Sequence, residues 1–462
     1  MNKLTQKEII KLSDVIFLNT YNLASSFEID LLTNFVQESQ TTSVLFYNIT
    51  DKEKFWKHVD NLNYGILVVN ENIANLSKLN NVFVVGRNDF LEIQKDYCDY
   101  FYPNKKKCKL VGVTGTNGKT TVTTFCSQIS KQLDKKALAI GTVGVFDGKT
   151  IIETLNQTTP NYIDLRKLIH KYQDLVDCIF LEVSSHGLVQ KRLYKLKLEV
   201  VAWTNLSQDH LDYHKDMADY FDAKCKISEY SERAVLIAGD QLSLQQKIVN
   251  AGVKMVAVKS LAQRDINVES HFLKASFNKS NLELALELNE VLWGDIKVVD
   301  VNKLEPPKGR FSLIEIGPEK FAIIDYAHTP DALKNVLIAT KSAFNNFKIK
   351  VLFGCGGDRD ISKRKIMGAV AYNFADFSYL TSDNPRSEDP LEILRHIREG
   401  YPSKDKYFEN SDRKASIKMA LNELKANEIL VIAGKGHEEY QETKGVKNYY
   451  SDFAVVKEYI DD

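Results

Sequence analysis

Residues 110–121 constrain the fold of this chain more than any other part of its 462 residues. They read Leu-Val-Gly-Val-Thr-Gly-Thr-Asn-Gly-Lys-Thr-Thr. The apolar run at 110–113 predicts a buried strand, which a glycine-bearing turn joins to a predicted helix. This order places backbone N–H groups and a helix N-terminus around one small volume, which attracts phosphate. The segment therefore predicts a site for ATP.

Two side chains of this turn suit the terminal phosphates of a nucleotide. Lys119 supplies a point charge, and the Thr120 hydroxyl is placed to ligate Mg²⁺. The spacing departs from the usual phosphate-loop pattern, because Val113 stands where the first glycine is expected and Gly-x-x-Gly-Lys-Thr remains. A glycine-rich turn with a surface lysine is the alternative interpretation.

Composition excludes several classes of partner. Lysine plus arginine equals aspartate plus glutamate, 61 against 61, so no overall charge attracts nucleic acid or an anionic membrane. Six cysteines without metal-type pairing predict reduced thiols. The first residues lead into no secretory apolar core, and no apolar run approaches a membrane span. We therefore expect a soluble, cytoplasmic α/β protein with no nucleic-acid or membrane partner.

Alternating strands and helices predict three α/β regions. Residues 1–107 form the first, which ends in a polar linker at 103–107. Residues 108–306 form the second and predict a mostly parallel sheet covered on both faces. Residues 307–462 form the third, whose predicted strands end at polar clusters.

Four predicted strands of the third region are each followed by glycine, histidine or aspartate residues. These clusters are residues 325–331, 354–360, 383–386 and 434–438. In open α/β sheets, ligands bind beyond the carboxyl ends of the strands, so the clusters predict one shared site. Four separate ordinary turns are the alternative.

Charged side chains in these clusters indicate what such a site would bind. Arg359 and Arg386 carry guanidinium groups, which match carboxylates in a bidentate manner. Asp383 and Glu438 carry the opposite charge. A site that holds both signs suits a zwitterion such as an amino acid.

Polar residues after two other predicted strands leave several roles open. Glu182 could ligate Mg²⁺ or make a structural hydrogen bond. His210 and His214 would share one face of a helix, but the glutamate of a His-Glu-x-x-His zinc motif is absent, so structural histidines are favoured. Lys224 lies on a predicted amphipathic helix, where a lysine is usually solvated.

Together these motifs resemble those of the Mur ligases over residues 108–462. The segments that carry the resemblance are residues 114–121, 182–192, 205–214, 325–331, 354–360, 383–386 and 434–441. The Gly-x-x-Gly-Lys-Thr loop is usual in this family. Residues 1–107 match poorly, because they contain no clear Asp-Ser-Arg segment of the kind that many relatives use to hold uridine.

The resemblance implies an α/β fold of three domains and an amide-forming reaction. The domains are a small N-terminal α/β domain for the UDP end, a central ATPase-type parallel sheet and a C-terminal Rossmann-like domain, at the boundaries given above. The implied ligase uses ATP and Mg²⁺ to add meso-diaminopimelate to UDP-N-acetylmuramoyl-L-alanyl-D-glutamate through an acyl phosphate, in peptidoglycan precursor synthesis. We expect a monomer.

The resemblance also implies roles for residues at matching positions. Catalysis is implied for Lys119, Lys224 and His210. ATP contacts are implied for Gly115, Thr116, Asn117, Gly118, Lys119, Thr120, Thr121, Asn278, Arg310 and Asp325. Contacts to the UDP-linked substrate are implied for Thr158, Thr159, Ser184, Gln190 and Arg192. Metal ligation is implied for Thr120, Glu182, His210 and Lys224, the last as a carbamate formed with CO₂. Contacts to diaminopimelate are implied for Arg359, Asp383, Asn384, Pro385, Arg386, Gly434 and Glu438.

The amino acid is predicted from the Asp-Asn-Pro-Arg segment. In relatives this segment accompanies meso-diaminopimelate, whereas lysine-adding enzymes lack the arginine. Diaminopimelate carries one carboxylate more than lysine, and Arg386 offers it a bidentate partner. The Gly434 carbonyl group and Glu438 can accept from the distal ammonium. A lysine-adding Mur ligase, a folylpolyglutamate synthase and a regulatory phosphate-loop ATPase are the alternatives.

Overall fold

The structure is a computed structural model, which describes residues 2–59, 62–105, 108–231, 235–237 and 255–461. Lys106 and Lys107 of the predicted linker therefore lie outside the described residues. The chain divides into two units. Unit 1 comprises Met1–Lys109, Thr159–Ile179 and His186–Lys197, and unit 2 comprises Leu110–Thr158, Phe180–Ser185 and Leu198–Asp462. The three predicted domain boundaries stay a prediction.

Strands and helices alternate along most of the described chain. The strands are β1 (Asn2–Thr5), β2 (Asn19–Tyr21), β3 (Ser26–Ile29), β4 (Leu31–Thr33), β5 (Ser43–Tyr47), β6 (Ile66–Val69), β7 (Val82–Val84), β8 (Lys109–Thr114), β9 (Ala137–Gly141), β10 (Gly144–Phe146), β11 (Ile151–Glu153), β12 (Cys178–Glu182), β13 (Val200–Trp203), β14 (Val235–Ile237), β15 (Met255–Ala257), β16 (Ser312–Gly317), β17 (Lys320–Asp325), β18 (Lys348–Phe353), β19 (Phe377–Leu380), β20 (Tyr407–Glu409), β21 (Glu428–Ala433), β22 (Tyr440–Thr443) and β23 (Val446–Tyr449). The α-helices are α1 (Gln6–Lys11), α2 (Lys52–Val59), α3 (Phe90–Phe101), α4 (Lys119–Gln132), α5 (Tyr162–Tyr172), α6 (Ser185–Val189), α7 (Met217–Cys225), α8 (His271–Lys274), α9 (Ser276–Trp293), α10 (Pro330–Ala343), α11 (Ser362–Phe374), α12 (Pro390–Arg398), α13 (Arg413–Asn422) and α14 (Asp452–Asp461). Short 3₁₀ helices lie at Val36–Glu38, Leu76–Lys78, Lys226–Tyr230, Ala262–Arg264 and Val301–Lys303.

The main sheet of unit 1 has the strand order β2-β7-β6-β5-β4. Strands β4 to β7 run parallel, and β2 pairs antiparallel with β7. Strand β6 is apolar throughout because both faces of the sheet are covered. Its residues Ile66 and Val68 join one apolar cluster, whereas Leu67 and Val69 join another.

The first sheet of unit 2 has the order β11-β10-β9-β12-β8-β13-β14-β15 among the described residues. Strands β8, β13, β14 and β15 run parallel, as the sequence predicts for this region. The short strands β10 and β11 add an antiparallel edge. Strand β8 lies inside the sheet and leads through the glycine-bearing turn into α4, so the turn opens at the carboxyl edge of the parallel strands.

The second sheet of unit 2 has the order β16-β17-β21-β18-β19-β20. All neighbouring strands are parallel except β16, which pairs antiparallel with β17. Strands β17, β21, β18 and β19 are therefore adjacent and end at the same edge of the sheet. The four polar clusters that follow these strands lie together at that edge. No helix in the described ranges is both long enough and apolar enough to cross a bilayer.

Thr329 caps helix α10 at this edge. Its fully buried Oγ1 accepts a hydrogen bond from the backbone N–H of Ala332 at 3.2 Å. We expect Thr329→Ala to lower the free energy of unfolding by about 1 kcal/mol, because the helix loses an acceptor for one of its first N–H groups. Urea unfolding measures this change. Thr329→Ser keeps the hydroxyl and serves as the control, and equal loss in both variants would contradict a capping role.

Candidate active site

The turn between β8 and α4 folds around the side chain of Lys119. Lys119 Nζ donates to the carbonyl oxygens of Gly115 at 2.8 Å and Thr116 at 2.9 Å. Gly115 and Gly118 have φ values of 142° and 85°, which favour glycine. A Cβ at Gly115 would also overlap the Thr204 hydroxyl. Backbone shape and lack of space therefore both require glycine in this loop.

Glu182 lies at the end of β12 and faces the first turn of α4. Its Oε2 accepts from Thr120 Oγ1 at 3.0 Å, and its Oε1 accepts from the Thr142 N–H at 2.9 Å. A Cβ at Gly141 would overlap this carboxylate, so glycine makes room for it. Burial raises the pKa of the Glu182 carboxyl, although the positive charge of Lys119 acts to lower it. Burial also lowers the pKa of Lys119.

The oxygens of Glu182 and Thr120 fit a hard divalent cation that takes only some of its ligands from the protein. In the part of the chain that the structure describes, no three His, Cys, Asp or Glu side chains cluster as a complete metal site. Mg²⁺ commonly binds one or two carboxylates and takes its other ligands from substrate phosphates and water. The Glu182 carboxylate and the Thr120 hydroxyl, beside a phosphate-binding turn, form such a partial set.

A cleft with about 550 Å³ of empty volume opens beside the glycine turn. Its lining residues are Asn117, Gly118, Thr121, Asn205, Phe272, Phe277, Asn278, Asn281, Arg310, Asp325, Ala327, Ala332, Asn335 and Val336. Asn278 is buried there, and its amide nitrogen donates to the Phe272 carbonyl at 3.1 Å. Aromatic rings and side-chain amides beside a phosphate-binding turn suit a purine base.

Arg310 and Asp325 reach this cleft from the segment that follows residue 306. Arg310 Nη2 lies 3.5 Å from Thr120 Oγ1, and its guanidinium carbon lies 4.5 Å from the centre of the Tyr326 ring. Asp325 accepts from the backbone N–H groups of Phe311 at 2.7 Å and Ala327 at 2.8 Å. Burial raises the pKa of Asp325, whereas the positive charge of Arg310 lowers it by a smaller amount. The structure thus brings both residues to the phosphate loop.

The expectation of a solvated Lys224 is wrong. Helix α7 turns this residue inward, and only 1% of its surface is exposed. Lys224 Nζ donates to the Gly115 carbonyl at 2.8 Å and lies 4.6 Å from the centre of the Tyr220 ring. Burial, and then the charge of Lys119, holds the pKa of Lys224 well below its usual range. The shift raises the share of uncharged amine at Lys224 above that of an exposed lysine.

His210 and His214 lie in turns before α7 instead of on a helix. His214 is buried, its Nε2 lies 2.9 Å from Ser185 Oγ and its Nδ1 lies 3.4 Å from Asp219. This environment confirms the structural interpretation of His214. His210 has a left-handed φ of 56°, and its Nε2 lies 3.3 Å from Asp209 Oδ2.

A second pocket, with about 670 Å³ of empty volume, lies where the four polar clusters meet. It is lined by Asp209, His210, Asp212, Tyr326, His328, Gly354, Gly356, Arg359, Lys363, Asp383, Asn384, Arg386, Gly434 and Glu438. These include six of the seven residues predicted to contact the amino acid. The seventh, Pro385, packs its carbonyl against Gly357, where a Cβ would overlap it.

Asn384 and Glu438, which line this pocket (called the acceptor pocket below), contact a fully buried lysine. Lys435 Nζ donates to Asn384 Oδ1 and to Glu438 Oε2, both at 3.0 Å. The Asn384 amide donates to the same Glu438 oxygen at 2.9 Å. Asp383 Oδ2 is buried and accepts no hydrogen bond from the described residues. A Cβ at Gly434 would lie 2.6 Å from that oxygen, so glycine leaves room for the carboxylate.

Two arginines stand at the same pocket with different partners. Arg386 Nη1 donates to the Gly357 carbonyl at 2.7 Å, and its Nε lies 3.5 Å from Glu442 Oε2. Arg359 Nη1 donates to Asp212 Oδ2 at 3.2 Å. The acceptor pocket therefore presents guanidinium groups and carboxylates to one volume, which suits a ligand that carries both charges.

The residues matched to the UDP-linked substrate fall in both units. In unit 1, Arg192 Nη1 donates to the Thr159 carbonyl, and its Nε and Nη2 donate to Gln190 Oε1 at 3.0 and 2.7 Å. In unit 2, Thr158 Oγ1 lies 3.0 Å from Thr142 Oγ1. Ser184 follows β12 in unit 2 and is half-buried. The roles implied for these residues stay predictions.

Comparisons with known proteins decide the family. Residues 113–300 match the Mur ligase middle domain, and residues 309–436 match the Mur ligase glutamate ligase domain. The UDP-N-acetylmuramoyl-L-alanyl-D-glutamate–2,6-diaminopimelate ligase of Aquifex aeolicus is 36% identical over 384 residues, which cover 78% of this chain and 79% of that enzyme. This chain belongs to the Mur ligase family. The enzyme of the same name from Rickettsia typhi is 36% identical over 435 residues and covers 87% of each chain.

Solved structures support the α/β fold of this Mur ligase. A structure of UDP-N-acetylmuramoyl-L-alanyl-D-glutamate–2,6-diaminopimelate ligase matches with a TM-score of 0.60 at 30% identity, covering 94% of this chain and 95% of the other. A folylpolyglutamate synthase of Mycobacterium tuberculosis, solved with ADP and AMPPCP, gives a TM-score of 0.59 at 18% identity, covering 74% and 91%. The second likeness shows the fold alone. The predicted fold class is thus confirmed.

Several residues of this Mur ligase site are missing from the sequence prediction. Lys435 lies within a predicted cluster, but a lysine between two glycines carries no signal of burial. Gly141 ends β9 and Thr142 follows it, and both are needed only because Glu182 approaches them. Glu442 belongs to a hairpin whose polar sequence gives no alternating strand pattern. Lys435, Thr142 and Gly141 could have been suggested only by their position at the ends of predicted strands.

Proposed function

We propose that this Mur ligase joins meso-diaminopimelate to the D-glutamate of UDP-N-acetylmuramoyl-L-alanyl-D-glutamate at the expense of ATP, as an acid–amino-acid ligase of peptidoglycan precursor synthesis. The observation that carries the proposal is one pocket in which Asp383, Arg386 and Glu438 meet. Relatives that carry this enzyme's name share 36% identity over most of the chain. A cytoplasmic, monomeric enzyme is part of the same proposal.

The reaction begins with attack of the substrate γ-carboxylate on the γ-phosphate of ATP. This step releases ADP and leaves an acyl phosphate. Lys119 neutralises charge on the transferring phosphoryl group, and the N–H groups at the start of α4 hold the phosphates. Asn278 and the aromatic cleft hold the base, and Arg310 reaches the same phosphates from the second sheet.

Mg²⁺ would be held by Thr120 and Glu182 and would supply neutralisation of phosphate charge. A second metal would be held by His210 and a carbamate of Lys224. Burial of Lys224 supports this role, because a lowered pKa increases the fraction of the uncharged amine, the form that reacts with CO₂. The resulting carbamate supplies anionic oxygen ligands of the kind that Mg²⁺ prefers.

The second step is attack of the amino-acid amine on the acyl carbon, which expels phosphate and forms the amide. Arg386 would bind the distal carboxylate of diaminopimelate as a bidentate partner. Asp383 Oδ2, which lacks a donor among the described residues, and Glu438 would accept from the distal ammonium. These opposite charges at fixed positions favour diaminopimelate over L-lysine, which has no distal carboxylate.

The function is tested by ATP-dependent phosphate release with UDP-N-acetylmuramoyl-L-alanyl-D-glutamate and a panel of amino acids. We expect release with meso-diaminopimelate and a far lower kcat/KM for L-lysine. Equal values for the two amino acids would overturn the choice of acceptor. Release that requires a folate and glutamate would instead identify a folylpolyglutamate synthase.

Gly141 gives a separate test of the metal site. We expect Gly141→Ala to raise the Mg²⁺ concentration for half-maximal phosphate release about tenfold, because the new Cβ displaces the Glu182 carboxylate. Mg²⁺ titration at fixed ATP measures the effect. Gly317→Ala is the control, since a Cβ there meets no described atom within 4 Å. An unchanged titration in the Gly141 variant would remove Glu182 from the metal site.

A further inference from the structure

Strands β22 and β23 form an antiparallel hairpin that contacts the loop at residues 383–386. The Arg386 N–H donates to the Glu442 carbonyl at 3.0 Å, and the Lys444 N–H donates to the Arg386 carbonyl at 2.6 Å. The Gln441 amide donates to the Asp383 carbonyl at 2.8 Å. The hairpin therefore fixes both ends of this loop, through its backbone at Arg386 and through the Gln441 side chain at Asp383.

These contacts hold Arg386 in an unusual backbone conformation. Its φ is 52°, in the left-handed region, which a non-glycine residue adopts only when its surroundings impose it. The hydrogen bonds on both sides of Arg386 supply that constraint. The Glu442 N–H also donates to Asn384 Oδ1 at 3.0 Å, so one hairpin residue contacts two residues of the loop.

The Glu442 side chain acts on the guanidinium of Arg386 directly. Glu442 Oε2 lies 3.5 Å from Arg386 Nε, while Gly357 accepts from Nη1. Among the described residues, Nη2 has no acceptor. The side chains of Arg386 and Glu442 are about four-fifths buried, at 21% and 23% exposure. Their surroundings therefore restrict the orientation of the guanidinium. Protein groups thus engage Nε and Nη1, whereas Nη2 keeps its N–H donors.

We propose that Glu442 is a positioning residue, which orients Arg386 so that its remaining N–H groups meet the distal carboxylate of the amino acid. The inference rests on the proposed function, because that carboxylate belongs to diaminopimelate. Glu442 is also an anion near an anionic ligand group. The orienting contact outweighs this repulsion because Glu442 is already neutralised by Arg386 itself.

Steady-state kinetics of four proteins test this role: the wild type, Glu442→Ala, Glu442→Gln and Glu409→Ala. The last removes a comparable glutamate–arginine pair, formed with Arg398 at 2.9 Å. We expect Glu442→Ala to raise KM for meso-diaminopimelate about tenfold, the size of a coupling between contacting residues, with kcat and KM for ATP unchanged. Glu442→Gln keeps an acceptor oxygen and should restore KM to within about threefold of the wild type.

A second measurement on Glu442→Ala is its discrimination between diaminopimelate and L-lysine. Glu442→Ala should leave kcat/KM for L-lysine unchanged, since lysine has no distal carboxylate. Combined with Arg386→Ala, it should add nothing, because the group that it orients is gone. An unchanged KM for diaminopimelate, or equal losses for both amino acids and ATP, would overturn the positioning role while the proposed function stands. A wild type without diaminopimelate-dependent phosphate release would overturn both.

Discussion

Replacing Lys119 with alanine is expected to lower kcat by about a thousandfold, because the charge that develops on the transferring phosphoryl group loses its nearest protein cation. Lys119 is half-buried, and the carbonyl groups of Gly115 and Thr116 hold its ammonium within the turn. The loss should fall on kcat, since the backbone N–H groups of the turn still hold ATP.

Single-turnover phosphate release and binding of a fluorescent ATP analogue separate these effects. Lys131→Ala, in the exposed last turn of the same helix, is the matched control. It should leave both quantities unchanged. A Lys119→Ala enzyme with kcat within tenfold of the wild type would contradict the role of Lys119 in phosphoryl transfer.

Arg386→Ala is expected to lower kcat/KM for meso-diaminopimelate by about 30- to 1,000-fold, which corresponds to about 2–4 kcal/mol. The cost is large because the variant leaves the distal carboxylate of the ligand without a partner in a partly dehydrated pocket. L-lysine lacks this carboxylate, so its kcat/KM should change little. The preference between the two amino acids should therefore collapse.

Competition between the two amino acids in one assay measures that preference directly. Arg398→Ala, which removes a surface arginine paired with Glu409, is the control for loss of a guanidinium. If the Arg386 variant lost activity equally toward both amino acids, Arg386 would support the fold of the loop and would not select the ligand.

The parallel strands and the phosphate loop could be predicted because each has a local signature. Strand β8 is a short apolar run followed by glycines, and β17, β18, β19 and β21 are apolar runs followed by polar clusters. Their adjacency follows from the general rule for open α/β sheets, so the acceptor pocket could be anticipated before its contacts were known.

Residues whose role depends on distant partners could not be predicted in this way. Lys224 has the local pattern of a solvated lysine, and its burial is caused by packing of α7 on the turn that contains Gly115. Lys435 is stabilised by Asn384 and Glu438, and the first of these is 51 positions away along the chain. The hairpin at Tyr440–Tyr449 has no apolar alternation, because most of its residues are exposed or half-buried.

The interleaved course of the chain has a consequence for synthesis and for truncation. Unit 1 is assembled from three separate stretches, the last of which ends at Lys197. On the ribosome the first 109 residues emerge before the two later stretches of this unit, with strands of unit 2 in between. A gene fragment cut at residue 109 would lack residues 159–179 and 186–197 of this unit.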